Sequence, residues 1–198
     1  PADLAQARLL ASFSRELKGR NPVLRTLLSL ATAGAEDAAA GAARASGDPA
    51  FAAMAADPTS RAAFADAAVR VARENGFDGI DVAWRFPASA VGWAGSGCMC
   101  PGFLVAEWRA AAPKGFLLTA TVYFSNHVFG APFAGVDYLS EAVAGSLDWI
   151  NVMAFGLRPA GAAANVTAFD APLYDRASHF SVSYGVVSWL DAGVPAGK

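Results

Sequence analysis

The stretch FDGIDVAWRFP, residues 77–87, raises the main chemical question of this sequence. Successive side chains of an extended strand point to opposite faces, so Asp81 and Arg85 share one face with Ala83 between them. A carboxylate can accept or donate a proton, whereas a guanidinium does not release one. Arg85 is therefore either a strand-end cation paired with a carboxylate or a group that holds a ligand. Asp81 is either a buried structural acid or a ligand contact.

Other candidate ligand contacts lie in or after predicted strands. Trp93 stands in a glycine-rich loop after the stretch 77–87, where it either stacks on a ligand or packs against the protein. Tyr123 and Asn126 come at the end of a later apolar run, and the same two interpretations apply to them.

The sequence offers no clear metal site. Neither His127 nor His179 has an acidic residue at a spacing typical of metal sites. Cys98 and Cys100 lack the two-residue gap of zinc and redox motifs. We therefore expect neither a metal nor another cofactor. Asn165 begins the triplet NVT, which accepts an N-linked glycan if the protein is secreted.

Helical and extended patterns alternate along the chain, in the order of one helix followed by four strand–helix pairs. The second helix is expected to start near Asp57 and Pro58 and to end before Gly76. Such alternation is typical of parallel strands with crossover helices. The predicted strands lie in 23–32, 77–86, 114–125 and 147–156, and the other helices in 3–19, 102–112, 135–146 and 181–193.

The pattern predicts an α/β fold of the (β/α)8 type, here an incomplete barrel of about four parallel strands. A closed barrel usually takes about 250 residues, and no glycine-rich phosphate loop follows the first strand. Large apolar side chains, among them Ile80 and Val82, should face the helices, while Asp81 faces the interior. An open sheet has exposed edges, so we expect self-association through them.

Composition narrows the class of protein. The chain has 198 residues, of which 55% are hydrophobic and 16% charged, with a formal net charge of -2. These values are typical of one soluble globular domain, and they argue against nucleic acid as a partner. No apolar run is long enough to cross a membrane. The first ten residues lack the layout of a signal peptide, which does not decide the compartment.

The stretch 77–87 resembles the signature strand of glycoside hydrolase family 18, D-G-x-D-x-D-x-E followed by an aromatic residue and often proline. Asp78, Gly79, Asp81, Trp84 and Pro87 match this pattern. The chain resembles the plant class V chitinases in particular, in segments that follow the family's order, namely NPVLRTLLSLATAG, LLTATVYFS, SLDWINVMAFG and SYGVVSWLDAGVPAGK. The resemblance implies one partial catalytic-type domain over residues 1–198, with the family's strands three to six.

The same resemblance implies that the catalytic groups are missing. Family 18 enzymes use a glutamate to protonate the leaving oxygen while the acetamido group of the substrate attacks. That glutamate falls on Arg85, and the acid that orients the acetamido group falls on Ala83. Phe155 and Gly156 stand where the family has tyrosine and aspartate.

We therefore expect a non-catalytic chitinase-like protein that binds chitin or N-acetylglucosamine oligosaccharides. Asp81, Arg85, Trp93, Tyr123, Asn126, Met153 and Phe155 are the candidate contacts. The alternatives are an active glycosidase that uses a displaced acid, Asp78 or Glu107, the ectodomain of a receptor-like kinase, or an inhibitor of another hydrolase. The resemblance and the Asn165 triplet favour an extracellular or vacuolar location.

Overall fold

The computed structural model describes residues 2–30, 54, 57–84, 100–127, 138, 140–157 and 169–198. The order of one helix followed by four strand–helix pairs is confirmed over these ranges. The elements are α1 (Ala2–Arg20), β1 (Leu27–Leu30), α2 (Pro58–Glu74), β2 (Gly79–Trp84), α3 (Cys100–Ala111), β3 (Leu117–Val122), α4 (Ser140–Ser146), β4 (Trp149–Val152) and α5 (Val182–Asp191).

The four strands form one parallel sheet in the order β1-β2-β3-β4. Asp81 of β2 lies opposite Ser29 of β1 and Thr119 of β3, and Thr121 of β3 lies opposite Asn151 of β4. Helices flank the sheet, and the described strands do not close into a barrel. The predicted incomplete barrel is therefore the observed architecture.

The core lies between the sheet and the helices. Ile80 of β2 and Leu118 and Val122 of β3 are fully buried against the helical layer, as is Trp108 of α3. Every second residue of these strands thus faces the helices, as the alternation of side chains predicts. Burial of such side chains stabilises the fold by about 1.5–3 kcal/mol each. It also directs the intervening residues, including Asp81, to the interior face.

Local capping explains why α2 begins and ends at the predicted residues. The Asp57 carboxylate accepts a hydrogen bond of 2.7 Å from the Ser60 amide, and Pro58 occupies the first turn. An N-cap of this kind satisfies an amide that has no partner within the helix. Gly76 follows the helix with a φ of 77°, a backbone conformation that glycine adopts without strain.

Asp78 lies one residue before β2 and not within the strand, which corrects the sequence-based placement. Its carboxylate accepts hydrogen bonds from Lys18 Nζ at 2.7 Å, Arg25 Nη1 at 3.1 Å and the Thr26 amide at 2.8 Å. Burial alone would raise the pKa of Asp78, but these donors outweigh burial and hold the pKa below its usual value. Asp78 thus ties α1 and the start of β1 to the start of β2.

Asp148 repeats this arrangement one residue before β4. Its carboxylate accepts hydrogen bonds of 2.7 Å from Arg109 Nη2 and from the Leu118 amide, and the Asp148 amide donates to the Leu118 carbonyl. Burial raises the pKa of Asp148, and the hydrogen bonds from Leu118 and Arg109 more than reverse that effect. Two aspartates therefore align neighbouring strands at the amino edge of the sheet, where the strands begin.

The two outer strands of the described sheet are β1 and β4. The Ile150 amide of β4 donates a hydrogen bond of 2.9 Å to the Lys198 carbonyl, so part of this edge is occupied within the chain. Self-association through the edges stays a prediction. Within the described ranges, no helix combines the length and the apolar character needed to cross a lipid bilayer.

The close packing of β2 between its neighbours gives a test of the sheet. A Cβ atom on Gly79 would lie 2.2 Å from the Leu117 carbonyl oxygen and 2.7 Å from Leu27 Cδ2. We expect Gly79→Ala to lower the free energy of unfolding by about 1–3 kcal/mol, measured by urea denaturation, because strand backbones must shift. Gly145→Ala in α4 is the matched control, since its Cβ would meet nothing within 4 Å. An equal effect of both substitutions would contradict this packing.

Candidate functional site: the interior face of the sheet

The Asp81 carboxylate is the centre of the interior face. Its Oδ1 accepts hydrogen bonds from Thr119 Oγ1 at 2.6 Å and Asn151 Nδ2 at 3.0 Å. Its Oδ2 accepts from Thr121 Oγ1 at 2.9 Å and Ser29 Oγ at 3.4 Å. One carboxylate is therefore hydrogen-bonded to all three other strands of the described sheet.

These contacts satisfy the carboxylate almost completely. An ionised carboxylate offers about four acceptor positions, and the four side-chain donors use them. Asp81 is only 9% exposed, so a partner lost here would not be replaced readily by water. The arrangement favours an acid whose oxygens are used to hold strands together over an acid that is free to contact a substrate.

The donors to Asp81 were not among the residues singled out from the sequence. Thr119, Thr121 and Asn151 face the interior because the register of β2, β3 and β4 places them beside Asp81. Asn151 is itself oriented by Trp149, whose Nε1 donates to Asn151 Oδ1 at 3.2 Å. Polar residues at every second position of neighbouring strands are the signal that could have found them.

Ala83 follows Asp81 on the same face and brings no polar side chain. It lies opposite Thr121 of β3 and is half-buried. A methyl group neither orients a ligand amide nor exchanges a proton. Among the described residues, the interior face of β2 therefore carries no acidic side chain beyond Asp81. Arg85, Trp93 and Asn165 lie outside the described residues.

Tyr123 and Met153 lie at neighbouring strand ends on the carboxyl edge of the sheet. The Met153 amide donates a hydrogen bond of 3.0 Å to the Val122 carbonyl, which brings the two segments together. The Tyr123 ring packs edge-on against Phe124, with centroids 4.7 Å apart. Burial raises the pKa of Tyr123, so its hydroxyl stays protonated at neutral pH and can donate a hydrogen bond.

Asn126 is held by its backbone close to the same edge. Its amide donates to Ser188 Oγ at 2.9 Å, and its carbonyl accepts from the Tyr138 amide at 3.1 Å. Its Oδ1 is buried and has no hydrogen-bond partner among the residues described. Phe155, by contrast, extends into solvent and is 65% exposed. The structure thus gathers Tyr123, Asn126 and Met153 near the edge, while Phe155 is mostly exposed to solvent.

A cleft of about 300 Å³ lies at the opposite, amino edge of the sheet. Lys18, Arg73 and Lys114 line it together with Asp78. Lys18 and Arg73 stand in the last turns of α1 and α2, where cations compensate the partial negative charge of a helix C-terminus. We therefore assign these cations to helix stability and not to the candidate site. Across the described ranges, no group of three or more His, Cys, Asp or Glu residues is arranged to hold a metal ion.

Replacement of Asp81 tests the central contact. Asp81→Asn puts an amide nitrogen where an acceptor now faces hydroxyl and amide donors. We expect it to lower the free energy of unfolding by at least about 2 kcal/mol in urea denaturation, because buried donors lose their acceptor. Asp175→Asn is the control, an acid on an exposed loop with two hydrogen bonds of its own. A change of less than about 0.5 kcal/mol for Asp81→Asn, the range of an ordinary surface substitution, would contradict the assignment.

Comparisons with known proteins agree with this architecture. The family model described as Glycosyl hydrolases family 18 matches residues 5–198. A class V chitinase from Arabidopsis thaliana is 36% identical over 198 residues, which is 95% of this chain and 46% of that protein.

Two solved structures are similar over nearly the whole chain. A mutant class V chitinase from Nicotiana tobaccum in complex with NAG4 has a TM-score of 0.74 at 34% identity, over 95% of this chain and 50% of that one. The chitinase-like agglutinin RobpsCRA from Robinia pseudoacacia has a TM-score of 0.74 at 30% identity, over 96% of this chain and 54% of that one. The chain thus spans about half the length of these relatives. Sequence and fold together show that the chain belongs to glycosyl hydrolase family 18 and is similar to its plant class V chitinases.

Proposed function

We propose that this protein is a non-catalytic member of its family that binds chitin-type oligosaccharides of N-acetylglucosamine. The observation that carries the proposal is that the described interior face offers no acidic side chain that is free to act on a substrate. Its one buried carboxylate within the described residues, Asp81, is saturated by donors from the neighbouring strands, and the next interior position holds Ala83.

Hydrolysis of a glycoside needs a proton for the leaving oxygen and a group that stabilises the positive charge on the sugar. Ala83 provides neither, and the sequence places Arg85 at the position of the acid. A guanidinium cannot give up a proton, and its charge opposes the developing cation. Loss of the general acid alone costs about 10²–10⁴-fold in rate. Phe155 also lacks the hydroxyl that the family's tyrosine offers.

The positions of Asp78 and Glu107 argue against the alternative in which one of them replaces the missing catalytic acid. Asp78 lies at the amino edge and is bound by Lys18 and Arg25. Glu107 lies on α3 in the helical layer, where both of its oxygens are 3.1 Å from Arg61 Nε. Neither acid stands at the carboxyl edge of the strands, where active sites of parallel barrels lie.

Sugar binding is supported by what remains on the interior face and at its carboxyl edge. The half-buried Thr121 and the exposed Asn151 keep the face polar, and the half-buried Tyr123 adds a hydroxyl group that can hydrogen-bond a ligand. The similar Nicotiana tobaccum protein was solved with NAG4, and the similar Robinia pseudoacacia protein is named an agglutinin. An extracellular or vacuolar location, where the Asn165 triplet would carry a glycan, fits such a role.

Calorimetry and product analysis on the natural full-length protein test the proposal together. We expect heat of binding on titration with the N-acetylglucosamine tetramer and no release of shorter sugars above buffer. Absence of heat at millimolar tetramer would contradict binding. Release of shorter sugars would contradict the loss of catalysis, and Asp78→Asn and Glu107→Gln would then show which acid is responsible. Because both acids lie in ion pairs, the stability of each variant is measured alongside its activity.

A further inference from the structure

The turn that links α2 to β2 contains the dipeptide Asn75-Gly76. Asparagine followed by glycine is prone to spontaneous deamidation, because glycine has no side chain to hinder attack by its own amide nitrogen. In this reaction the glycine nitrogen loses its proton to solvent and bonds to the asparagine Cγ, while the Cγ–Nδ2 bond breaks and ammonia leaves. Water then opens the cyclic imide at either carbonyl, which leaves aspartate or isoaspartate.

The end of α2 requires this glycine. The Gly76 amide donates a hydrogen bond of 3.0 Å to the Arg73 carbonyl, and the Phe77 amide donates one of 2.9 Å to the Ala72 carbonyl. With Gly76 at a φ of 77°, these two hydrogen bonds form a Schellman motif. Most residues with a side chain are strained at this φ. The helix end therefore selects the residue that also leaves Asn75 open to attack.

The same motif holds Asn75 in an unreactive geometry. Asn75 caps the helix with a φ of -95° and a ψ of 9°, and its Nδ2 donates to the Val71 carbonyl at 2.8 Å. Ring closure needs a rotation of ψ that brings the Gly76 nitrogen against Cγ. It also needs the Gly76 amide to leave the Arg73 carbonyl. The closed helix end thus protects Asn75 from the reaction.

Contacts with α1 keep the turn closed. Lys18 Nζ donates to the Gly76 carbonyl at 2.6 Å and also contacts the Asp78 carboxylate at 2.7 Å. Phe77 is buried, and its ring stacks on that of Phe13, with centroids 6.1 Å apart. The turn must therefore separate from α1 before it can rearrange.

Deamidation would in turn destabilise the closed helix end. A carboxylate at position 75 would replace the Nδ2 donor with an acceptor that faces the Val71 carbonyl, and it would add negative charge at the negative end of the helix. Isoaspartate would also insert an extra carbon into the backbone, which the Schellman hydrogen bonds do not accommodate. A chain that has reacted therefore does not regain the original helix end.

We propose that Asn75 is a self-modification site that records the opening of this part of the fold. While the Schellman motif is closed, Asn75 stays an amide. When the end of α2 opens, the side chain converts to aspartate or isoaspartate, so the product accumulates with the time that the turn spends open. The reactants are the Asn75 side chain, the Gly76 amide and water. Neither the interior face nor sugar binding takes part in the reaction.

Mass spectrometry of the natural full-length protein tests the site. The protein is kept at neutral pH, either folded or in urea above the unfolding midpoint, and is digested with trypsin after set times. The tryptic peptides 74–85 and 21–25 each contain one amide side chain, Asn75 and Asn21 respectively. Asn21 is the internal control, because Pro22 follows it and has no amide proton to lose. We expect Asn75 to deamidate at least about tenfold more slowly in the folded protein than in urea, since the reaction requires the open turn. Asn21 should stay unchanged in both.

Two substitutions in α1 separate protection by the fold from intrinsic reactivity. Lys18→Met removes the hydrogen bond to the Gly76 carbonyl, and Arg15→Met removes an exposed cation of the same helix. Lys18→Met should raise the rate at Asn75 several-fold in the folded protein and leave the rate in urea unchanged. Arg15→Met should change neither rate.

Three results would count against the proposal. Equal rates in the folded and unfolded natural protein would overturn it, because the helix end would then give no protection. Absence of deamidation at Asn75 in urea would overturn it as well, because the dipeptide would then be unreactive. Equal rates for Lys18→Met and Arg15→Met in the folded protein would overturn the part assigned to Lys18. None of these results depends on the binding of a sugar, so they leave the proposed function to its own test.

Discussion

The buried negative charge of Asp81 is the constraint on which the rest of the sheet depends. A carboxylate that is 9% exposed is costly unless donors satisfy its oxygens, and here they come from β1, β3 and β4. These donors reach Asp81 only in the observed register, because a slip of one residue turns Thr119 or Asn151 toward the helices. The charge therefore requires an aligned sheet, and Asp78 and Asp148 reinforce the alignment at the amino edge.

This division of labour would let a family 18 scaffold keep its fold under the proposed loss of catalysis. The apolar row of β2, with Ile80 at 0% exposure, and the Asp81 contacts carry the stability of the sheet. Ala83 and Phe155 lie toward the carboxyl edge and outside the buried core, so their side chains can differ without disturbing it. In β2, the positions that stabilise the fold thus precede the carboxyl end, where active sites of parallel barrels lie.

Local patterns predicted the order of elements, the cap of α2 at Asp57 and the alternation along β2, since each depends on neighbouring residues. They did not predict that Asp78 precedes its strand, because its partner Arg25 lies 53 positions away in the chain. The donors Thr119 and Asn151 require the register of three strands, which no single segment contains.

A crystal structure of the full-length protein grown with the N-acetylglucosamine tetramer tests the central claim most directly. We predict an unbroken tetramer at the carboxyl edge, with the Asp81 oxygens still bonded to Thr119, Thr121 and Asn151. A shortened sugar, or an Asp81 carboxylate that leaves these donors to face a glycosidic oxygen, would contradict the account. The first result would show that the protein retains catalysis, and the second that Asp81 takes part in the reaction.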